Sequence, residues 1–269
     1  MHSLEIAKGH GTRNDFVLFV DREGLISLTD AQVAALCDRR SGIGADGILR
    51  AVRAGAMPEW RGEPELWFMD YRNADGSIAE MCGNGLRVFL RYLAEEDLID
   101  ASGPVRVATR AGLRIGTFET DGSISVTMGA VTLGEPVEVS LHARTWTAHS
   151  ANVGNPHAVV QVDSADTLTG LDLTTQPEWH PASAFPNGVN VEFVVIEEPG
   201  RLHLRVHERG VGETESCGTG VVAAAAVLAP QSRCQVRVPG GVLQVDTTGP
   251  EAILTGPAVI VGRGSFALV

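Results

Sequence analysis

The sequence predicts an α+β protein, within the broad α/β class, made of two similar halves in which many strands curl around one long helix. Three observations carry that prediction. The chain has 269 residues, and at roughly 150 residues per domain that length fits two domains. A cysteine motif occurs twice, as Met81-Cys-Gly-Asn-Gly85 and Ser216-Cys-Gly-Thr-Gly220, with Cys82 and Cys217 lying 135 positions apart. Each copy runs into an apolar helical stretch, whereas most other patterned segments read at strand period.

Composition narrows the function classes. Hydrophobic content of 44% and charged content of 20% describe an ordinary globular chain rather than a disordered one. A core is easily buried at this length. The net charge is −12 with no basic cluster, which argues against a nucleic-acid surface. Any carboxylate must then be held by local donors. The start, MHSLEIAKGHG, lacks the shape of a signal peptide. The longest wholly apolar run, Val221–Ala229, is half of the ~20 residues a membrane span needs. The expectation is a cytoplasmic protein with no membrane partner. The four cysteines, Cys37, Cys82, Cys217 and Cys234, form no C-x-x-C pair, and no metal site is expected.

In the first half, Leu4–Lys8 and Phe16–Val20 read as strands flanking a glycine-rich turn at Gly9-His-Gly11. Thr29 or Asp30 caps a helix running to about Arg40. Arg39-Arg40 reads as its solvated end, with no partner implied. Gly42, Gly44 and Gly47 have G-x-G-x-x-G spacing. A dinucleotide fingerprint needs a strand before it and a helix after it. Here the order is reversed, so the glycines read as a helix-to-strand turn. Ala54–Pro64 is a surface loop, Trp67–Tyr71 a strand and Asn73–Gly76 a turn. Leu86, Phe89, Leu90 and Leu93 recur at i, i+3, i+4, i+7, which starts a helix near Gly85. Val105–Ala108, Leu113–Phe118 and Ile124–Met128 are short strands.

Gly129–Pro136 is the candidate crossing into the second half. Trp146–Val153 and Ala158–Val162 are strands around Gly154-Asn-Pro-His157. Asp166–Pro181 is polar with helical pieces, and Val191–Ile196 is a strand. Leu202–Glu208 alternates apolar and polar residues, Glu208–Ser216 is a glycine-punctuated loop, and Gly220–Ala229 is a buried helix that stops at Pro230. Four short strands complete the tail: Val236–Val238, Val242–Asp246, Ala252–Thr255 and Ala258–Val261. The halves echo again upstream, where Gly11–Asp21 resembles Val153–Asp163. His203 and His207 lie four apart on a strand, roughly 13 Å. They cannot share a metal and read as exposed. Cys37, on a helix's apolar face, and Cys234, in a strand, read as structural.

Each motif cysteine therefore sits where a helix begins. A helix start offers unpaired N–H donors and a partial positive charge. Both favour a thiolate over a thiol, and the same donors suit a substrate carboxylate. The plain alternative is a small buried hydrophobe. Duplication tilts the balance: a pseudo-twofold arrangement brings both helix starts to one cleft between the domains. Two opposed thiols allow a two-base racemase or epimerase, a redox dithiol, or a metal site. The last is disfavoured because two thiols need more ligands than the motifs supply.

These motifs, with their neighbours, resemble diaminopimelate epimerase nearly end to end. The resemblance rests on Lys8-Gly9 through Asn14-Asp-Phe16, Gly44-Ala-Asp-Gly47, Tyr71-Arg-Asn-Ala-Asp-Gly76, Met81-Cys-Gly-Asn-Gly85, Gly154-Asn-Pro-His157, Phe185 to Asn190-Val-Glu-Phe193, and Glu208-Arg-Gly-x-Gly-Glu-Thr214 running to Ser216-Cys-Gly-Thr-Gly220. It implies two pseudo-symmetric domains, 1–128 and 129–260, each a β-barrel-like, mostly antiparallel sheet around a central helix. The stretch 261–269 is expected to return to the first domain, with the active site in the cleft between the two. It implies cofactor-independent interconversion of LL- and meso-diaminopimelate by Cys82 and Cys217, in lysine and peptidoglycan-precursor synthesis, by a homodimer. Gly83-Asn84 and Gly218-Thr219 would hold the reacting carboxylate. Asn14, Asn73, Asn155, Asn190 and Arg209 would bind the polar ends of the amino-acid substrate. His157 and Glu208 would tune the thiols, with Glu208 also beside the substrate amine.

Two departures from the family pattern stand out. Gly47 replaces the Gln of many members, which implies a lost substrate contact and more weight on Asn190. The tail Ser265–Val269 lacks a Tyr used by some members at a dimer contact. Two rival readings stand beside the epimerase. One is a proline or hydroxyproline racemase of the same fold, although those favour His after the first Cys-Gly, where this chain has Asn84. The other is a non-catalytic amino-acid binder or thiol switch.

Overall fold

The computed structural model describes residues 3–267. The chain divides into two compact units. One takes the chain up to Val126 and again from Gly256 onward, and the other is Thr127–Thr255. These changeovers fall a little before positions 129 and 261, where the sequence placed them.

The first part of the chain forms β1 (Ser3–Gly11), β2 (Asn14–Val20), α1 (Asp30–Cys37), β3 (Gly47–Arg53), β4 (Trp67–Asn73), α2 (Gly83–Glu95), β5 (Val105–Thr109), β6 (Gly112–Phe118) and β7 (Ile124–Gly129). Next come β8 (Thr132–Leu141), β9 (Arg144–Asn152), β10 (Pro156–Gln161), α3 (Ala165–Thr169), β11 (Glu178–His180), β12 (Asn190–Glu198) and β13 (Arg201–Glu208). The chain ends through β14 (Gly212–Thr214), α4 (Gly218–Leu228), β15 (Arg233–Val238), β16 (Gly241–Asp246), β17 (Ala252–Gly256) and β18 (Val259–Ala267).

The first unit orders its strands β18-β1-β2-β3-β4-β5-β6-β7, with β2–β3 and β4–β5 parallel and the rest antiparallel. The second orders β8-β9-β10-β12-β13-β15-β16-β17, with β10–β12 and β13–β15 parallel. The parallel steps thus fall at the same two places. Parallel neighbours need a crossover long enough for a helix, and each such step contains one: α1 and α2 in the first unit, α3 and α4 in the second. The fold is α+β and mostly antiparallel, as expected, and each sheet wraps one helix. Helix α2 packs against β1–β4 and β18, and α4 against β9, β10, β12, β13, β15 and β16.

Local chemistry explains both helices. Leu86, Phe89, Leu90 and Leu93 of α2 are completely buried. Helix α4 is buried all round from Gly218 to Ala226, and its run of alanines lets strands approach closely on every side. Thr29 closes α1 with a capping box: Thr29 Oγ1 accepts from Gln32 N at 3.2 Å, and Gln32 Oε1 accepts from Thr29 N at 3.1 Å.

Several sequence expectations are corrected. Gly9–Gly11 lies inside β1, and the hairpin turns at Thr12 and Arg13, both at positive φ (50° and 65°). Gly9 is there for close approach, since an added Cβ would lie 2.8 Å from Val88 Cγ1 and 2.9 Å from Val259 O. The presumed crossing at Gly129–Pro136 is largely β8, and part of the Glu208–Ser216 loop pairs with β13 as β14. His207 is buried and holds Leu173 O at 2.9 Å, and His203 is mostly covered. β13 has strands on both sides, and the segment after α3 lies over its outer face. Arg39 is not unpartnered: it reaches Asp15 at 2.8 Å and Asp46 at 2.7 Å. Cys37 and Cys234 are buried, and burial pushes both thiols up to about 11.

A charged network ties the far side of the first sheet together. Asp70, 2% exposed, accepts from Arg50 Nε at 2.8 Å and from Arg110 Nη2 at 2.6 Å. Arg50 continues to Asp21 at 3.1 Å. Removing one partner from such a network leaves buried charge uncompensated. Asp70→Asn is expected to destabilise the protein by about 3 kcal/mol, read as a lower denaturant midpoint at unchanged slope.

Candidate active site

In the first unit β4 delivers the chain through the Asn73–Gly76 turn to Cys82, the N-cap of α2, whose extended backbone (φ −141°, ψ 119°) stops the helix from running backwards. Helix α2 therefore starts at Gly83, two residues before the expected Gly85. Cys82 Sγ accepts from Gly85 N at 3.3 Å and lies 3.5 Å from Asn14 Oδ1. Asn84 Nδ2 reaches the same oxygen at 3.4 Å. Asn14 is fixed from behind by Asp46, whose Oδ2 accepts from Asn14 Nδ2 at 2.8 Å. Asp46 and Asp15 are in turn gripped by Arg39, with Lys8 on Asp15 at 2.6 Å. Burial works against the charge of Asp15, but Arg39 and Lys8 prevail and hold its carboxyl well below the usual range. Asn73 sits in the turn and donates to Ser77 Oγ at 3.0 Å.

In the second unit β13 leads to Cys217, the N-cap of α4 (φ −116°, ψ 110°). Its Sγ lies 3.4 Å from Thr219 Oγ1. Thr219 Oγ1 accepts from Asn155 Nδ2 at 3.3 Å, and Asn155 Oδ1 lies 2.9 Å from His157 Nε2. Glu208, at the end of β13, accepts a short hydrogen bond from Thr214 and also bonds Cys217. Asn190 has its amide engaged by main chain: Oδ1 accepts from Arg209 N at 2.9 Å, and Nδ2 donates to Pro156 O at 3.2 Å. It thereby anchors Arg209, whose guanidinium stays exposed, with Nη1 3.4 Å from Asn187 O.

Thus Cys82, Gly83, Asn84 and Asn14 gather in one unit, while Cys217, Gly218, Thr219, Asn155, His157 and Glu208 gather in the other. Asn73 and the Asn190–Arg209 pair are joined to their own turns. Two buried charged residues went unread in the sequence. Arg87, fully buried on α2, donates to Gly83 O at 3.2 Å and Asn84 Oδ1 at 2.9 Å, and burial pulls its pKa down to about 10. Glu192, fully buried on β12, lies 2.7 Å from His157 Nδ1. An ionisable side chain inside an apolar stretch was the available signal in both cases.

The helix-start argument does not set the state of Cys217. Burial, then the Glu208 and Glu192 carboxylates, push its thiol well above the ordinary value, against the opposing Thr219 hydroxyl and Gly220 N–H. Glu208 is itself raised, chiefly by burial. In this arrangement Cys217 is a thiol. Among the described residues, no group of three or more His, Cys, Asp and Glu side chains is placed to hold a metal ion. No helix among them is long and apolar enough to cross a membrane.

The family model for diaminopimelate epimerase matches residues 6–134 and 149–261. The diaminopimelate epimerase of Streptomyces coelicolor is 49% identical, over 98% of this chain and 95% of that one. That of Thermobifida fusca is 48% identical over 98% of each. Among solved structures, a PhzF-family phenazine biosynthesis protein from Bacillus anthracis superposes with a TM-score of 0.72 at 14% identity, covering 99% of this chain and 100% of that one. A hydroxyproline epimerase from Agrobacterium vitis gives 0.71 at 15%, covering 99% and 93%. These two likenesses establish the fold alone.

Gly47 opens β3 against β4, and its lack of a side chain has a local cause. An added Cβ would lie 2.4 Å from Arg72 O and 2.8 Å from Tyr71 Cε2, while the Tyr71 ring packs edge-on against Phe16 at 5.8 Å. Gly47→Gln is therefore expected to destabilise the fold by about 2 kcal/mol through overpacking without tightening substrate binding. Thermal unfolding alongside KM checks both.

Proposed function

The chain belongs to the diaminopimelate epimerase family, and from that membership we propose that it interconverts LL- and meso-2,6-diaminopimelate by two-base exchange of one α-proton. One sulfur, as thiolate, removes the proton from the α-carbon. The other, as thiol, delivers its proton to the opposite face, so each turnover leaves the two sulfurs with exchanged protonation. The reading places Cys82 and Cys217 on opposite sides of one cleft. Each sulfur must come within about 3–3.5 Å of the carbon, so the pair stands ~6–7 Å apart when the substrate is enclosed.

The observation that carries this reading is the duplicated cap: each unit independently sets a cysteine at the N-cap of its one long buried helix. An α-proton of an amino acid is hard to remove, and no lysine stands in a Schiff-base context. Developing charge on the carboxylate would instead be met by N–H donors of Gly83-Asn84 and Gly218-Thr219 at two helix starts, in a site that excludes water. Asn14, Asn73, Asn155 and Asn190 offer both donors and acceptors to the distal amino-acid head, and the exposed guanidinium of Arg209 suits its carboxylate. Glu208 lies beside the substrate amine, and His157 and Glu208 tune the thiols. Two neighbouring thiolates repel, so the pair titrates jointly and shares one proton. The reading brings with it a cytoplasmic homodimer that works without added cofactor in lysine and cell-wall precursor synthesis.

Cys82→Ala and Cys217→Ala are each expected to lower epimerisation at least about a hundredfold, the scale of lost general acid–base catalysis, with circular dichroism and unfolding midpoint unchanged. An alanine variant at either position that retains wild-type turnover overturns the two-base reading.

A further inference from the structure

Glu192 has no part in the chemistry above, yet its side chain is wholly enclosed on an otherwise apolar strand. An added Cβ at Gly220 would lie 2.5 Å from Glu192 Oε1, so the carboxyl lies directly beneath the first turn of α4. Packing alone does not call for an acid there. Phe16 pairs with Gly47 in the first unit as His157 pairs with Asn190 in the second, which puts Leu49 in the place of Glu192. The corresponding Gly85 indeed rests on Phe16 and Leu49.

We propose that Glu192 is a positioning residue for Cys217, acting as a neutral acid that donates to His157 Nδ1 and so orders a hydrogen-bond chain that ends on the Cys217 sulfur. The proposal rests on the two-thiol reading only for its effect on turnover.

The order follows from counting donors. Asn155 Oδ1 only accepts, so His157 Nε2, 2.9 Å away, carries a hydrogen. A neutral imidazole then presents a lone pair at Nδ1, and Glu192 Oε1, 2.7 Å away, must supply the proton. The protonated form suits the site. Burial disfavours the anion and raises the Glu192 pKa, and Oε2 has no hydrogen-bond partner among the described residues. The charged groups facing this carboxyl are His157 on β10 and Glu208 on β13, and the first turn of α4 adds none. With Asn155 so oriented, its amide N–H occupies a lone pair of Thr219 Oγ1. The Thr219 hydroxyl hydrogen stays free to donate to Cys217 Sγ, 3.4 Å away, when that sulfur is a thiolate. If His157 instead carried its hydrogen on Nδ1, Asn155 would turn its amide nitrogen to Nε2. Its Oδ1 would then take the Thr219 hydrogen, and the thiolate would lose that donor.

The test compares Glu192→Leu, which copies the first unit, with Glu192→Gln, whose amide N–H replaces the carboxyl donor. Reduced protein is treated with iodoacetamide at fixed pH, and Cys217 and Cys82 alkylation are followed separately by peptide mass spectrometry. No substrate is needed, so this readout survives failure of the epimerase reading. In Glu192→Leu, Cys217 alkylation is expected to slow about tenfold, the scale of one charge-assisted hydrogen bond, with Cys82 unchanged. Diaminopimelate kcat is expected to fall by a similar factor with KM within about twofold. Glu192→Gln is expected to stay within about threefold of wild type in all of these. Wild-type Cys217 alkylation in Glu192→Leu overturns the proposal, as does a Glu192→Gln loss equal to that of leucine. Should the leucine variant not fold, the glutamine variant decides alone by the same criterion.

Discussion

A parallel step between neighbouring strands forces a crossover, and in this chain the crossovers that carry α2 and α4 decide where the chemistry sits. Each helix is swallowed by its own sheet, so its first turn cannot be satisfied by bulk water and must find protein or substrate as partner. A cysteine takes the cap position in both units. The sulfur is a poor cap for N–H groups, and the weak Gly85 N to Cys82 Sγ contact of 3.3 Å illustrates it. Donors left under-used at a buried helix start are what a carboxylate with developing charge requires.

The two units share topology but differ in what lies under that first turn. Beneath Cys82 is an apolar floor of Phe16 and Leu49, with the buried cation Arg87 one turn along the helix. Beneath Cys217 are His157 and Glu192, with Glu208 at the side. The duplicated frame fixes position, and the unshared residues fix protonation. The support also differs in exposure. In the first unit, a surface cluster of Lys8, Asp15, Arg39 and Asp46 holds Asn14. In the second, a wholly buried chain from Glu192 leads to Thr219.

Much of this was legible from residue order. The 3.6-residue spacing of Leu86, Phe89, Leu90 and Leu93 and the unbroken apolar run after Gly220 gave both central helices, and the repeated Cys-Gly-x-Gly gave the sites. Periodicity reports which face of an element is apolar, not what packs against it, and the misreadings follow from that. His207 alternates as an outward residue would, but the segment after α3 covers it. Arg39 ends a helix and looks solvated, but β2 and the start of β3 bring Asp15 and Asp46 to it. Glu192 is a single acid within Val191–Ile196, where strand pattern predicts only burial. Its meaning depends on His157, a neighbour in space but 35 positions away. Gly47 carried a family expectation about substrate, whereas its local cause is the Tyr71 ring.

The central claim is that two cysteines exchange an α-proton of diaminopimelate. Proton NMR of LL-diaminopimelate in deuterium oxide, with purified, reduced protein and no added cofactor, tests it most directly. The account predicts loss of the α-proton signal as solvent deuterium enters, together with appearance of the meso isomer. An undiminished α-proton signal, with both thiols confirmed free, would contradict it.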